Sequence, residues 1–134
     1  MGYSYSAKSK AKLETCHPDI QKVFNEVIKH VDCSILQGVR TVEEQEELVR
    51  TGKSQTMNSK HLKQADGYSH AIDVVPYPID WSNRERFILF AGKVLGIAKA
   101  MSVDLVSGVD WNDDGNIKDH SFFDAPHFEL KGKK

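Results

Sequence analysis

The chain lacks a charge imbalance and a long hydrophobic run, and each absence excludes a class of protein. Lysine and arginine total 18 against 19 for aspartate and glutamate, so the net charge of −1 offers no basic field to nucleic acid or an anionic membrane. No stretch approaches the roughly 20 apolar residues that a membrane-spanning helix needs. The N-terminus also has no apolar signal segment. We therefore expect neither nucleic-acid binding nor membrane insertion.

Cysteine is scarce as well. The two cysteines, Cys16 and Cys33, cannot build a disulfide framework, and they do not stand in the Cys-x-x-Cys spacing of a metal site. A free cysteine usually behaves as a small buried hydrophobic residue. We therefore predict two reduced, buried thiols.

Three segments have apolar residues at helical spacing. The first follows Pro18, which suits a first helical turn, and the second begins at Thr41, where Glu44 completes a capping box. The third has a wide apolar face and is expected to be the central buried helix. The predicted helices are residues 18–31, 42–50 and 83–101.

Short segments with β-type composition alternate with these helices. A chain of 134 residues with 40% hydrophobic residues is long enough for one domain with a core of its own. The order of elements predicts a single small α+β domain over residues 1–134, in which residues 1–12 form an extended arm and 131–134 a tail. The predicted strands are residues 33–40, 69–75, 103–106 and 128–130.

Two segments rich in histidine and aspartate supply the ligand set of a zinc site. Two histidines and one carboxylate, here His61, His127 and Asp73, leave a fourth position open for water, which is the layout of a hydrolytic zinc site. His70 competes with His61. However, His70 and Asp73 are three residues apart on a predicted strand and would point to opposite faces unless the strand bulges. The pattern therefore favours His61 and keeps His70 as the alternative.

A second carboxylate, Asp124, stands three residues before His127. A free carboxylate beside the water of such a site can act as general base. The alternative is a structural role in an Asx turn before Pro126.

The segment from Asp110 to Asp119 matches the first half of a calcium-binding loop. Oxygen-bearing side chains alternate along it, and Gly115 permits the sharp turn. The twelfth position is Ser121 rather than glutamate, although Asp119 could substitute for it. The alternative is an ordinary polar turn. The candidate calcium ligands are Asp110, Asn112, Asp114, Asn116 and Asp119.

The candidate residues lie in three motifs, Ser59-x-His61, Ala71-x-Asp73 and Asp124-x-x-His127. These motifs occur in the order and local context of a known family. The chain resembles the D-alanyl-D-alanine carboxypeptidase / L-alanyl-D-glutamate endopeptidase family of zinc peptidases, and most closely its single-domain phage endolysins. Residues 37–41, 72–77 and 108–112 resemble further segments of that family, so the similarity covers most of the chain. The interval between the first histidine and the aspartate is longer than is usual there, and residues 63–67 resemble an insertion.

The resemblance implies a short antiparallel sheet packed with helices, as in hedgehog and D,D-peptidase domains. It implies that three residues, His61, Asp73 and His127, bind zinc, and that Asp124 is the general base. Arg40 would bind a substrate carboxylate, a carbonyl or the oxyanion; the alternative is a surface salt bridge with the following glutamate-rich helix.

Glu129 is a further expectation, since it would accept the outer N–H of a ligand histidine or else face solvent.

The implied function is that of a phage endolysin that hydrolyses the peptidoglycan stem peptide at the L-alanyl-D-glutamate bond and lyses the host. Such an enzyme would accumulate as a monomer in the host cytoplasm and reach the periplasm and wall once the membrane is breached. A D-Ala-D-Ala carboxypeptidase or dipeptidase is the alternative within the enzyme class. A non-enzymatic calcium-binding module and a virion protein with a degenerate peptidase fold are the alternatives outside it.

Overall fold

The computed structural model describes residues 3–54, 57, 59–109 and 124–131. None of the helices within these residues is long and apolar enough to cross a membrane. The described elements give the predicted α+β order with one additional helix at the start. They are α1 (Ala7–Leu13), α2 (Pro18–Val27), β1 (Cys33–Gln37), α3 (Val42–Arg50), β2 (Ala71–Pro76), α4 (Arg84–Ala100), β3 (Leu105–Ser107) and β4 (His127–Leu130).

The four strands form one sheet in the order β1-β2-β4-β3, and every neighbouring pair is antiparallel. The last strand in sequence, β4, therefore lies inside the sheet between β2 and β3. Its register with β2 sets Asp73 directly opposite His127. The α+β fold with a short antiparallel sheet is thus confirmed, and the sheet brings together residues that are far apart in sequence.

The hydrophobic core lies between the sheet and the two longer helices, α2 and α4. Phe128 of β4 is fully buried and packs edge-to-face against Phe24 of α2, with ring centroids 5.6 Å apart, and against Phe90 of α4 at 6.2 Å. Burying each such side chain stabilises the fold by about 1.5–3 kcal/mol. The core therefore fixes β4 against both helices.

The helix starts follow the predicted capping chemistry. Thr41 and Glu44 form the predicted capping box at the start of α3. At α2, Pro18 occupies the first turn and the Nδ1 atom of His17 accepts the Asp19 amide N–H at 3.0 Å. These bonds satisfy amide donors that a helix leaves without intrahelical partners.

The prediction of an extended arm over residues 1–12 is wrong, because residues 7–13 form α1. The segment is rich in serine and lysine, but its alanine, lysine and leucine residues are good helix formers, and Ser6 caps the helix by accepting the Ser9 amide N–H. The Ser9 hydroxyl in turn accepts the Ile35 amide N–H at 3.0 Å, and Lys12 Nζ donates to the Leu36 carbonyl at 3.0 Å. These contacts hold α1 against β1.

Both cysteines are buried and unpaired, as the sequence predicts. Burial raises the pKa of Cys16 to about 12 and that of Cys33 to about 11. Both thiols are therefore neutral at physiological pH, which fits a packing role.

Gly108, which follows β3, is needed for a close backbone approach. Its amide donates to the His127 carbonyl at 2.8 Å and its carbonyl accepts the Asp124 amide at 3.0 Å. A Cβ atom at Gly108 would lie only 2.0 Å from the Asp124 carbonyl oxygen. The absence of a side chain at this position thus lets the segment that carries Asp124 lie against β3.

We predict that Gly108→Ala lowers the free energy of unfolding by about 1–3 kcal/mol, because the segment with Asp124 must move away. Gly92→Ala is the matched control: a Cβ there meets nothing within 4 Å, and alanine favours the helix. Thermal unfolding of both variants checks this. An unchanged melting temperature for Gly108→Ala would contradict the role given to this glycine.

Candidate metal centre

The side chains of His61, Asp73 and His127 converge on one point. Asp73 Oδ1 lies 3.2 Å from His61 Nε2 and 3.3 Å from His127 Nδ1. Ligand atoms around a tetrahedral zinc, each about 2.0–2.1 Å from the ion, are separated by about 3.3 Å. The spacing of these three atoms therefore fits the edges of such a site, and the three residues form a group that could hold a metal ion.

Two of these residues are placed by strand pairing. Asp73 on β2 and His127 on β4 are directly opposite each other in the antiparallel ladder. Opposite residues in such a ladder project from the same face and have closely spaced Cβ atoms. The sheet itself therefore sets the separation between these two side chains.

His61 comes from the long connection between α3 and β2 and is held by backbone contacts. Its carbonyl accepts the Arg40 amide at 2.8 Å, and its Nδ1 lies 2.8 Å from the Gly38 carbonyl oxygen. Because a carbonyl only accepts, Nδ1 carries a proton. With a metal bound, Nε2, which faces Asp73, would therefore be the unprotonated nitrogen. This is the tautomer that a metal ligand requires.

His127 is oriented in the same way through its other nitrogen. Its Nε2 lies 2.8 Å from Glu129 Oε1, so its Nδ1 points at Asp73. Glu129 also pairs with Lys60 Nζ at 3.3 Å. The contact expected for Glu129 is therefore present, and a carboxylate supports the outer N–H of a histidine in the cluster.

The electrostatics of the cluster suit a cation. Burial raises the pKa of Asp73, but hydrogen bonds from His127 and His61 outweigh burial and hold it well below its usual range. Burial lowers the pKa of His127, but hydrogen bonds to Asp73 and Glu129 raise it to about 9. In the metal-free protein His127 is therefore protonated at neutral pH, and a metal would take the place of that proton.

Asp124 borders the cluster. Its carbonyl accepts the His127 amide at 3.1 Å, and burial raises the pKa of its carboxyl group against the opposing influence of His127. Asp73 also raises this pKa, while His61 and Arg40 lower it, so the carboxyl group interacts with the whole cluster. A carboxylate with a raised pKa is a better proton acceptor near neutral pH.

Arg40 lies at the edge of the cluster rather than on the glutamate-rich surface of α3. Its Nη2 is 3.8 Å from Asp73 Oδ2, and its Nη1 donates to Gln45 Oε1 at 2.8 Å. The exposed Glu47 of α3 pairs with Arg50 instead. The salt bridge between Arg40 and the glutamates, which was the alternative, is therefore absent from the described residues.

The structure places His70 in a second cluster, apart from His61. His70 Nε2 lies 2.8 Å from Asp66 Oδ2, and His17 Nε2 lies 3.7 Å from the same oxygen. However, His17 Nδ1 accepts the Asp19 amide, so its proton must sit on Nε2. The buried His70 Nδ1 has no hydrogen-bond partner among the described residues. Unlike the outer nitrogens of His61 and His127, which donate to an oxygen, that of His17 accepts and that of His70 has no partner among the described residues.

The candidate calcium ligands Asp110, Asn112, Asp114, Asn116 and Asp119 lie outside the described residues. Calcium binding thus stays a prediction from the sequence.

Sequence reasoning missed Gln45, which is fully buried and positions Arg40. The Gln45 amide also donates to the Ser54 hydroxyl at 2.9 Å. One signal was available, since Gln45 is the one uncharged residue within residues 43–47. The Gly38 carbonyl carried no such signal, because its role depends on the path of the backbone.

We predict that His127 stabilises the metal-free protein in a pH-dependent way. Its pKa is raised from 6.5 to about 9, so its contribution is fully present below pH 6.5 and is lost as the pH rises through 9. The difference in melting temperature between wild type and His127→Gln, measured with a chelator present, should shrink over this range.

The exposed His30 provides the control for that measurement. His30→Gln should give a difference that stays small from pH 6.5 to 9, because this side chain is 58% exposed. If the difference in melting temperature between wild type and His127→Gln does not depend on pH, the charge assigned to His127 is wrong.

Comparison with known proteins gives matches over nearly the whole chain. The family described as phage L-alanyl-D-glutamate peptidase matches residues 1–131. The chain is 30% identical over 138 residues to the L-alanyl-D-glutamate peptidase of Escherichia phage T5, an alignment that covers 97% of this chain and 99% of that protein. The crystal structure of the Serratia marcescens L-Ala D-Glu endopeptidase ChiX superposes with a TM-score of 0.77 at 29% identity, covering 95% of this chain and 90% of that one. The chain belongs to the phage L-alanyl-D-glutamate peptidase family.

Proposed function

We propose that this protein is a zinc peptidase that hydrolyses the L-alanyl-D-glutamate bond of peptidoglycan stem peptides. The observation that carries the proposal is the group of His61, Asp73 and His127 with the carboxyl group of Asp124 beside it. Family membership supports the peptidase activity, and both named relatives are described as acting on L-Ala–D-Glu. These names favour this bond over D-Ala-D-Ala.

Zinc is the metal that the donor set favours. Two imidazole nitrogens and one carboxylate oxygen are common ligands of catalytic zinc. Both histidines have their outer nitrogens on acceptors, at the Gly38 carbonyl and at Glu129. When bound, zinc would supply Lewis-acid activation of the attacking water and of the scissile carbonyl group.

Three residues around the cluster would each have a separate role. Asp124 would accept a proton from the attacking water and then donate it to the nitrogen of the leaving amine. Arg40, held by Gln45, would stabilise the negative charge that develops on the carbonyl oxygen. Ser59 has a structural role here, since its hydroxyl accepts the His61 amide at 3.2 Å.

The biological role that fits this chemistry is lysis of the bacterial host by a phage. The relative from phage T5 supports a phage context. The enzyme would collect as a monomer in the host cytoplasm and reach the periplasm and cell wall after the membrane has been breached.

We predict that wild type and Asp124→Asn each bind about one zinc ion, and that only the wild type lyses permeabilised Gram-negative cells. Loss of a general base costs about 10²–10⁴-fold in rate. Zinc content, the loss of turbidity and the products from defined muropeptides are the measurements. Asp104→Asn is the matched control, because Asp104 is exposed and precedes β3 away from the cluster.

Different failures of this experiment have different meanings. Release of free D-alanine, with no cleavage after L-alanine, would mean that the enzyme hydrolyses the D-Ala-D-Ala bond and not the proposed one. A folded wild type that binds zinc but cleaves nothing would favour a degenerate peptidase fold. A wild type without zinc would remove the basis of the proposal.

We predict that Glu129→Ala weakens zinc binding about 10–100-fold, because His127 loses the acceptor of its outer N–H. Competition with a chromogenic chelator measures the dissociation constant. Glu85→Ala is the control, since Glu85 lies in the first turn of α4 and outside the cluster. Equal zinc affinity in all three proteins would contradict the supporting role of Glu129.

A further inference from the structure

An open pocket of about 400 Å³ shares Asp124 with the candidate metal centre. One wall is the segment that leads into β4, and the other wall is the start of α4 with the residues before it. Because Asp124 borders the metal cluster, a substrate held at the cluster would have one end directed at this pocket. Its lining residues are Trp81, Arg84, Phe87, Asp124, Ala125 and Pro126.

The role of Asp124 decides which half of the substrate faces this pocket. In the proposed function, on which this inference rests, Asp124 passes a proton to the leaving amine, so that amine must come within hydrogen-bond reach of its carboxyl group. For a bond between L-alanine and D-glutamate, the leaving amine is the nitrogen of D-glutamate. The D-glutamate half therefore lies against Asp124 and extends into the pocket.

That half of the substrate carries a negative charge close to the reacting atoms. D-Glutamate continues the stem peptide through its γ-carboxyl group, which leaves its α-carboxylate free and two bonds from the leaving nitrogen. Beside Asp124 this carboxylate meets a like charge and needs a cation. Among the described residues that line the pocket, only Arg84 is positively charged.

The wall that carries Arg84 also contains two stacked aromatic rings. Trp81 stacks on Phe87 with ring centroids 5.5 Å apart and an angle of 19° between the planes. Phe87 is only 3% exposed, whereas Trp81 is 62% exposed. The indole thus rests on a buried ring and offers an apolar surface to the methylene groups of D-glutamate.

We propose that this pocket binds the D-glutamate side of the stem peptide, with Arg84 pairing with the α-carboxylate and Trp81 packing against the methylene groups. A guanidinium group matches a carboxylate through two parallel hydrogen bonds. Arg84 is then a specificity-determining residue: it selects stem peptides with free D-glutamate over stem peptides in which the α-carboxylate is amidated to D-isoglutamine.

The test compares two muropeptides that differ only in this group, a D-glutamate form and a D-isoglutamine form. The zinc-loaded wild type should cleave the D-glutamate form with a kcat/KM about tenfold higher, as expected for a hydrogen-bonded charge pair. Arg84→Gln should lose this preference because only its rate on the D-glutamate form falls. Arg84→Lys should keep part of it, and Trp81→Ala should raise KM for both forms alike.

Lys93→Gln is the matched control, because it also removes one exposed positive charge from α4 but lies outside the pocket. It should keep the full preference of the wild type. Equal losses on both muropeptides for Arg84→Gln, or a wild type without preference, would overturn the assignment. A wild type that cleaves neither form would overturn the proposed function and this inference with it.

Binding of the product gives a readout that does not depend on turnover. Calorimetry with the released D-glutamate-terminal peptide should show a Kd about tenfold weaker for Arg84→Gln than for wild type and Lys93→Gln. The amidated product should bind all three proteins equally. An unchanged Kd for Arg84→Gln would overturn the proposal even if all three proteins are active.

Discussion

The ladder between β2 and β4 is the interaction on which the rest of the site depends. It sets Asp73 opposite His127 and joins the end of the chain to its middle. A slip of one residue in this register would turn His127 to the other face of the sheet and separate it from Asp73. Such a slip is opposed by the core, because Phe128 is packed between α2 and α4. Hydrophobic packing thus fixes the position of a polar site.

The charges around this ladder alternate in sign. Arg40 faces Asp73, Asp73 faces His127, His127 faces Glu129, and Glu129 faces Lys60. Burying any one of them alone would cost several kcal/mol, whereas each has an opposite charge within 4 Å. Asp73 thereby stays ionised despite burial, and the histidines are held in place before any metal arrives. Ion pairs between the site residues therefore hold these side chains in position in the metal-free protein.

The sequence predicts what is local and misses what depends on the path of the chain. The capping box at Thr41 and the apolar pattern of α4 each depend on residues that are close together in the sequence. Both elements could therefore be predicted. The failure at α1 is different, because its helix-forming residues and the Ser6 cap are local signals. Contacts of Ser9 and Lys12 with β1, which are remote in sequence, then hold the helix in place. Within the site, the residue types suggested the ligands, whereas the Gly38 carbonyl that orients His61 could be found only in three dimensions.

The two groups of histidine and aspartate show why residue type alone does not define a metal site. In both groups an imidazole nitrogen faces a carboxylate at close range. They differ at the other nitrogen. His61 donates the N–H of that nitrogen to a carbonyl, so its inner nitrogen can give up a proton to a metal. In His17 that nitrogen accepts an amide N–H at the start of α2, so its inner nitrogen must carry the proton of the ring. Coordination by His17 would therefore break a helix cap that is worth about 1 kcal/mol. The partner of the outer ring nitrogen, where there is one, therefore determines which cluster can accept a cation without losing a hydrogen bond.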